Sequence, residues 1–414
     1  MSKEQLSQRL CAWIDQHFDE EVGVLQQLIR IPTDTPPGNN APHADAVAEL
    51  VRTWGWNAEK HAVPQQQVID YGMQSITNLI VRRPYADGGP TVALNAHGDV
   101  VPPGEGWTHD PYGGEIADGR IYGRAAAVSK SDFASYLFAT RALEALGAPL
   151  RGALELHFTY DEEFGGLLGP GWLLERKLTR PDYVLAAGFS YNVVTAHNAC
   201  LQLEVTVHGR ATHGSMPETG HDALQAANAV LNAIYGALPG LKEIRSSIPG
   251  ISHPTMIVGR IDGGTNTNVV PGKVVLKMDR RMIPEEDPAQ VEAGVRKLIE
   301  DAVASLPGIR VEIRRLLLAR ALRPLPGHEK LVESLLRNAQ AVMGETPTTN
   351  GSALYTDARL YGEAGIPVVL FGAGPRTLME SNAKQADENL ALDDLKKATK
   401  VVALMLLDFL GAQD

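Results

Sequence analysis

The chain has 414 residues, 44% of them hydrophobic and 21% charged, which is globular composition. Its length predicts two domains, because a single core stops growing beyond about 250–300 residues. A net charge of −11 with no basic run argues against nucleic acid and anionic membrane as partners. Two cysteines, Cys11 and Cys200, cannot form a disulfide framework. No apolar stretch reaches the roughly 18 residues of a membrane span, and the first residues lack the apolar core of a secretory signal. The expected class is a soluble cytoplasmic protein, most simply an enzyme.

In chain order, residues 4–30 carry apolar positions at helical spacing (Leu6, Leu10, Ile14, Val22, Leu25, Ile29) and end at the Pro-rich loop 32–38. A second helix is expected over 43–54. Apolar runs at 78–81, 91–96, 153–160 and 183–187 alternate with helices, the clearest over 132–146. This pattern predicts an α/β domain with a mostly parallel sheet covered on both faces. Near Thr195 the pattern changes. Leu201, Leu203, Val205 and Val207 alternate with polar residues, as in a strand with one solvated face. A helix over 223–238, strands over 255–261 and 273–281, a helix over 290–306 and a strand over 309–317 follow. That order is β-α-β-β-α-β, a ferredoxin-like α+β unit over 195–316, inserted into an α/β domain of residues 1–194 and 317–414. Helix 328–343, strand 367–371 and helix 392–410 complete the larger domain.

Two clusters at strand ends carry chemistry. His97-Gly98-Asp99 follows the run 91–96, where ligands gather at the carboxyl ends of sheet strands. An imidazole with a carboxylate two residues on suits a metal ligand oriented by an acid, or a satisfied histidine in a turn. Asp161-Glu162-Glu163 follows the run 153–160. One such acid can bind metal while its neighbour acts as base on water; the alternative is a solvated acidic turn.

These clusters occur in a fixed order with Tyr122-Gly-Arg124, Gly165-Gly166, His213-Gly-Ser215, Gly263-Gly-Thr-Asn-Thr-Asn268, Thr356-Asp357-Ala-Arg359 and Phe371-Gly-Ala-Gly374. From end to end, the chain resembles the aminoacylase, desuccinylase and carboxypeptidase G family of zinc-dependent amidohydrolases and peptidases. The resemblance implies a zinc-peptidase-like catalytic domain with an inserted lid domain that forms a homodimer. It implies hydrolysis of the C–N amide bond of a small carboxylate-bearing substrate, such as an N-acyl amino acid or dipeptide. Glu162 matches the general base, His97 and Glu163 match metal ligands, and Asp99 matches the acid that orients His97. His213 matches a lid histidine that stabilises the oxyanion in a partner's site. Asn268 and Arg281 match residues that hold the substrate carboxylate, with Arg280 beside Arg281 facing solvent or the opposite side of its strand. Gly374, in Gly372-x-Gly374, offers backbone amides to the same carboxylate. Tyr191 and Tyr355 are candidate pocket residues.

Three family ligands are replaced. Val128 stands where the family has the aspartate that bridges two zinc ions, Phe189 where it has a carboxylate, and Lys384 where it has a late histidine. A firm zinc site needs at least three protein ligands, so a full dinuclear zinc site is not expected. Asp132 offers one rescue, a single divalent ion (zinc or manganese) held with His97 and Glu163. Its alternative is a helix-start acid acting on the dipole. Lys384 offers the other, an ammonium paired with Glu163 in place of the lost positive charge, against an exposed loop lysine. Lys130 is a further candidate for that cluster. Ser129 with Lys130 makes a poor nucleophile–base pair, because adjacent side chains point apart. A non-catalytic or metal-free relative that binds an amino-acid-like ligand is the alternative to the enzyme.

Overall fold

The structure, a computed structural model, describes residues 2–412 and divides into two compact units. The larger comprises Met1–Thr195, Pro324–Thr349 and Thr356–Asp414; the smaller comprises Ala196–Arg323 and Asn350–Tyr355.

An eight-stranded sheet organises the larger unit. Its strands lie in the order Ala58–Ala62, Thr77–Pro84, Arg151–Thr159, Ala86–His97, Tyr183–Ala186, Val368–Leu370, Asn192–His197 and Thr348–Ser352. The four central strands, from Arg151–Thr159 to Val368–Leu370, run parallel, with antiparallel neighbours outside them. Leu94, Leu154, Leu156, Leu185 and Val369 are fully buried there, as an apolar strand covered on both faces must be. Helix Lys130–Ala145 is buried on nearly every side and packs against Leu392–Leu410, whose own inner positions are equally apolar.

The helical pattern over 4–30 resolves into two helices, Lys3–Gln16 and Phe18–Ile29. They meet at His17, whose Nδ1 lies 2.8 Å from the Trp13 carbonyl and whose ring stacks on Trp13 at 3.8 Å, while its amide bonds the same carbonyl at 3.1 Å. A small three-stranded sheet, Asn389–Ala391 with Arg120–Tyr122 and Glu115–Ala117, has strands too short to read from periodicity. It ties the late segment before Asn389 to residues near Tyr122.

The smaller unit is a four-stranded antiparallel sheet in the order Thr255–Gly263, Lys273–Met282, Ala199–His208, Arg310–Ala319. The second and third strands in space are the third and first in sequence, as a ferredoxin-like connection requires. Alternate residues Leu201, Leu203, Val205 and Val207 bury against helices Ala223–Glu243 and Pro288–Val303. Asp222 and Asp287 cap those helices by accepting from the amides of Leu224 and Gln290.

Candidate active site

The four parallel strands end on the same side of the sheet, and three of them deliver residues to the site. His97 is the last residue of its strand and pairs in register with Thr159. The chain then turns at Gly98, whose amide bonds the Thr159 carbonyl at 2.8 Å. A β-carbon on Gly98 would lie 2.4 Å from the Tyr160 ring, so only glycine allows the two strand ends to approach this closely.

The three acids that follow the neighbouring strand separate into three roles. Asp161 turns inward and is fully buried, its Oδ2 accepting from the Leu168 amide at 2.6 Å. Burial pushes its carboxyl well above the usual range. Glu162 and His97 line a cavity of about 60 Å³, together with Asn95, Val128 and Asp357. That volume accommodates at least one water. Glu163 faces Lys384. Asp99 holds the turn itself, its two oxygens accepting from the amides of Glu162 and Glu163 at 3.2 and 3.0 Å.

His97 Nδ1 is 2.9 Å from the Asp99 carbonyl oxygen and 3.5 Å from Asp99 Oδ1, and Nε2 is 3.9 Å from Glu162 Oε2. Burial alone would push the imidazole down. Glu162, Asp99 and Glu163 outweigh it and raise its pKa to about 10, so His97 is an imidazolium at neutral pH. Glu162 is raised above the usual glutamate range, chiefly by burial, with His97 and Lys384 acting the other way.

Lys384 Nζ lies 2.7 Å from Glu163 Oε2. Burial lowers its pKa, but Glu163 and Glu162 together more than restore it, leaving the ammonium above the ordinary lysine value. The backbone of Lys384 is fixed as well, its amide 3.3 Å from Glu388 Oε2. Glu388 pairs with Arg124 at 2.5 Å, and both side chains are almost wholly buried. Arg124 belongs to the Tyr122-Gly-Arg124 motif, but its pairing with Glu388 across 264 positions was not visible in the sequence.

Asp357 is the residue that sequence reasoning missed. It belongs to the quoted Thr356-Asp357-Ala-Arg359 motif, yet nothing in that motif says which way it points. The structure places it on the cavity wall with Oδ2 buried and without a hydrogen-bond partner. Its carboxyl is pushed well above the usual range, first by burial and then by Glu162.

The sequence profile of peptidase family M20/M25/M40 matches residues 93–408. The chain belongs to that family. It is 27% identical over 406 residues to a succinyl-diaminopimelate desuccinylase of Rhodospirillum centenum, covering 94% of this chain and 96% of that one. It is 28% identical over 393 residues to an acetylornithine deacetylase of Myxococcus xanthus, covering 94% and 97%. The fold is similar to that of the di-peptidase Dug1p of Saccharomyces cerevisiae, with a TM-score of 0.82, 15% identity and 99% of each chain covered.

Measured against the family's metal centre, several expected residues are engaged elsewhere. Asp132 does not complete a metal set with His97 and Glu163. Its Oδ1 accepts from the Ala373 amide at 2.7 Å, and a β-carbon on Gly372 would lie 2.0 Å from that oxygen. Asp132 therefore fastens the 372–374 loop to the start of its helix. Its Oδ2 is buried without a hydrogen-bond partner, and burial raises its pKa to about 7. Gly374 is not a free amide for a carboxylate. Its N–H is bonded to the Gly188 carbonyl at 3.0 Å, and that of Gly372 to the Phe189 carbonyl at 3.4 Å. Lys130 does not join Glu163 either. It is buried and donates to the carbonyls of Leu28 and Ile31 at 3.1 and 2.8 Å, and burial lowers its pKa to about 7. The Ser129 hydroxyl bonds the backbone of His97. Among the described residues no three His, Cys, Asp or Glu side chains are grouped to hold one ion. The residues present do not fit the dinuclear centre: apolar Val128 lines the cavity and Lys384 holds Glu163.

In the smaller unit, His213 is exposed, with Nδ1 2.7 Å from the Ser215 hydroxyl. Asn268 is exposed, and its carbonyl accepts from the Gly214 amide at 2.7 Å, joining the two motifs in one loop cluster. Arg281 donates to Asp279 Oδ1 at 2.7 Å and lies 5.4 Å over the Tyr355 ring. Arg280, expected toward solvent or the far side of its strand, is buried and paired with Glu286 at 2.5 Å, because its strand turns that face inward. Tyr191 is stacked under Arg376 at 3.7 Å and donates to Asp394.

Proposed function

We propose that this member of the M20/M25/M40 family hydrolyses the amide bond of a small carboxylate-bearing substrate, an N-acyl amino acid or a dipeptide, with Glu162 activating water. The observation that carries the reading is the cavity at the strand ends, where Glu162 is held at its backbone by Asp99 and faces the His97 imidazolium. Burial makes Glu162 a stronger base than an exposed glutamate, as a general base near neutral pH must be. Glu162 takes a proton from water, the oxygen attacks the amide carbon, and the same carboxyl returns the proton to the departing nitrogen as the C–N bond breaks. His97 keeps Glu162 ionised between turnovers. The relatives named for desuccinylation and deacetylation support an N-acyl substrate.

On this reading Arg281 and Asn268 hold the substrate carboxylate and His213 steadies the oxyanion. The fork of Arg281 suits a carboxylate, although Asp279 engages part of it. A homodimer formed through the smaller unit belongs to the same reading, and sedimentation at micromolar concentration tests it. A panel of N-acetyl and N-succinyl amino acids and dipeptides tests the reaction. Turnover by the wild type that is abolished in Glu162→Gln supports the reading. Binding of these compounds without turnover, unaffected by Glu162→Gln, replaces it with a non-catalytic amino-acid binder.

A further inference from the structure

We propose that the Lys384 ammonium stands in place of a metal ion as the positive charge on Glu163, and that the centre takes no divalent metal ion. The inference rests on the hydrolase reading for its chemistry, but its main test does not. Three observations carry it. The ammonium touches Glu163 Oε2 at 2.7 Å, an oxygen that a metal on Glu163 would use. The lysine is built in: the left-handed backbone of Lys384, with φ 62°, is held through its amide by Glu388, which the buried Arg124 fixes in turn. The positions that match the family's remaining ligands have lost them, and apolar Val128 lines the cavity with His97 and Glu162.

Electrostatics decides between the two cations. A divalent ion on Glu163 would sit within a few ångströms of an ammonium, and unlike a family centre it would have no bridging carboxylate to offset that repulsion. The ammonium meets no such penalty. It offsets part of the charge of Glu162, Glu163 and Asp99, all of which act on it. Lys384 has three N–H groups, of which Glu163 takes one, and its side chain is 57% exposed. The remaining donors are available to a substrate carbonyl oxygen. When water adds to that carbon, the oxyanion forms against the ammonium, and the charge returns to the carbonyl as the C–N bond breaks.

The test begins with metal titration of the chelator-treated wild-type chain, using zinc and then manganese, followed by calorimetry and elemental mass spectrometry. The expected result is less than about a tenth of an equivalent in the centre, with the same titration curve for wild type, His97→Ala and Glu163→Gln. Metal that both substitutions leave unchanged is bound outside the centre and agrees with the proposal. One or two equivalents that disappear in either variant would overturn it. The triple variant Val128→Asp, Phe189→Glu, Lys384→His restores the family's ligand types. Where it folds, it should gain at least one zinc equivalent and a zinc-dependent rise in Tm, and a folded triple variant that binds none counts against the proposal. Neither readout requires a substrate, so failure of the hydrolase reading leaves this result intact. With a turned-over N-acyl substrate, Lys384→Met should lower kcat by about 10²–10³ with little change in KM, and Lys384→Arg should recover part of it. An unchanged kcat in Lys384→Met, or turnover abolished by chelator and restored by zinc, would overturn it.

Discussion

Residues 384–388 carry one end of each of two ion pairs, and the pairs differ in kind. Arg124 and Glu388 are buried to 1% and 2% exposure; Lys384 is 57% exposed and its partner Glu163 9%. Arg124 is further committed to the Pro103 carbonyl at 2.9 Å and lies 5.2 Å over the Trp107 ring, while Glu388 also accepts from the Ala127 amide. Two of the three guanidinium nitrogens of Arg124 and both oxygens of Glu388 are used within the protein. The outer pair leaves an ammonium open on one side. The inner pair positions the segment, and the outer pair is free to meet a substrate.

The largest expected effect removes the chemistry and leaves both pairs in place. Glu162→Gln should lower kcat/KM by about 10²–10⁴ with its Tm within a degree or two of wild type. A variant that loses activity only in proportion to folded protein would deny Glu162 its role. In the wild type the rate should climb with pH as Glu162 loses its proton, with the midpoint above 4.5, since burial raises that group. A midpoint at or below the ordinary glutamate value would remove the basis for calling it an activated base.

Next in size is the inner pair. Arg124→Met strands a buried carboxylate at Glu388 and should cost about 3–5 kcal/mol in urea unfolding. Lys384 would lose its anchor at the same time, so activity should fall even at temperatures where the variant stays folded. A cost below 1 kcal/mol would mean that the pair does not differ from a surface one.

Glu21 sharpens the comparison because it is a buried glutamate with no cation. Its one hydrogen bond comes from Thr399, and burial raises its pKa to about 8 from an unfolded 4.5. A group raised in the folded state contributes its full stability below the unfolded value and loses it as pH climbs toward the folded one. Stability attributable to Glu21 should thus be present at pH 4.5 and decline by a few kcal/mol up to about pH 8. Unfolding of Glu21→Gln, followed between those limits, should lack that decline; parallel curves for the two chains would refute the assignment. The smallest effect belongs to the outer pair, where Lys384→Met should change stability by less than about 1 kcal/mol despite its effect on kcat.

Much of the fold was legible, for a simple reason. The central strands are covered on both faces and read as apolar runs, and the strand Ala199–His208 buries one face and reads as alternation. The break at His17 was not legible, because apolar positions at helical spacing continue on both sides of it. Neither were the three short strands that include Asn389–Ala391, which have no period to detect. In the site, the acids after the strand Arg151–Thr159 could be placed by chain order alone. Their division among Leu168, the cavity and Lys384 depends on rotations that adjacent residues do not reveal. Gly374 and Asp132 show the limit most plainly: one follows a strand and the other opens a helix, and both are engaged by backbone that spacing cannot show.

The contacts that define the site join distant parts of the sequence: Lys384 to Glu163 across 221 positions, and Glu388 to Arg124 across 264. A chain emerging from the ribosome in order would have formed its acidic turn long before the lysine arrived. Until then Glu163 would lack its ammonium partner, and only His97, already present, would offset the acids. Closing such long loops is slow and comes late in folding. A chain that ends before residue 384 thus carries Glu163 without the ammonium that pairs with it in the finished fold.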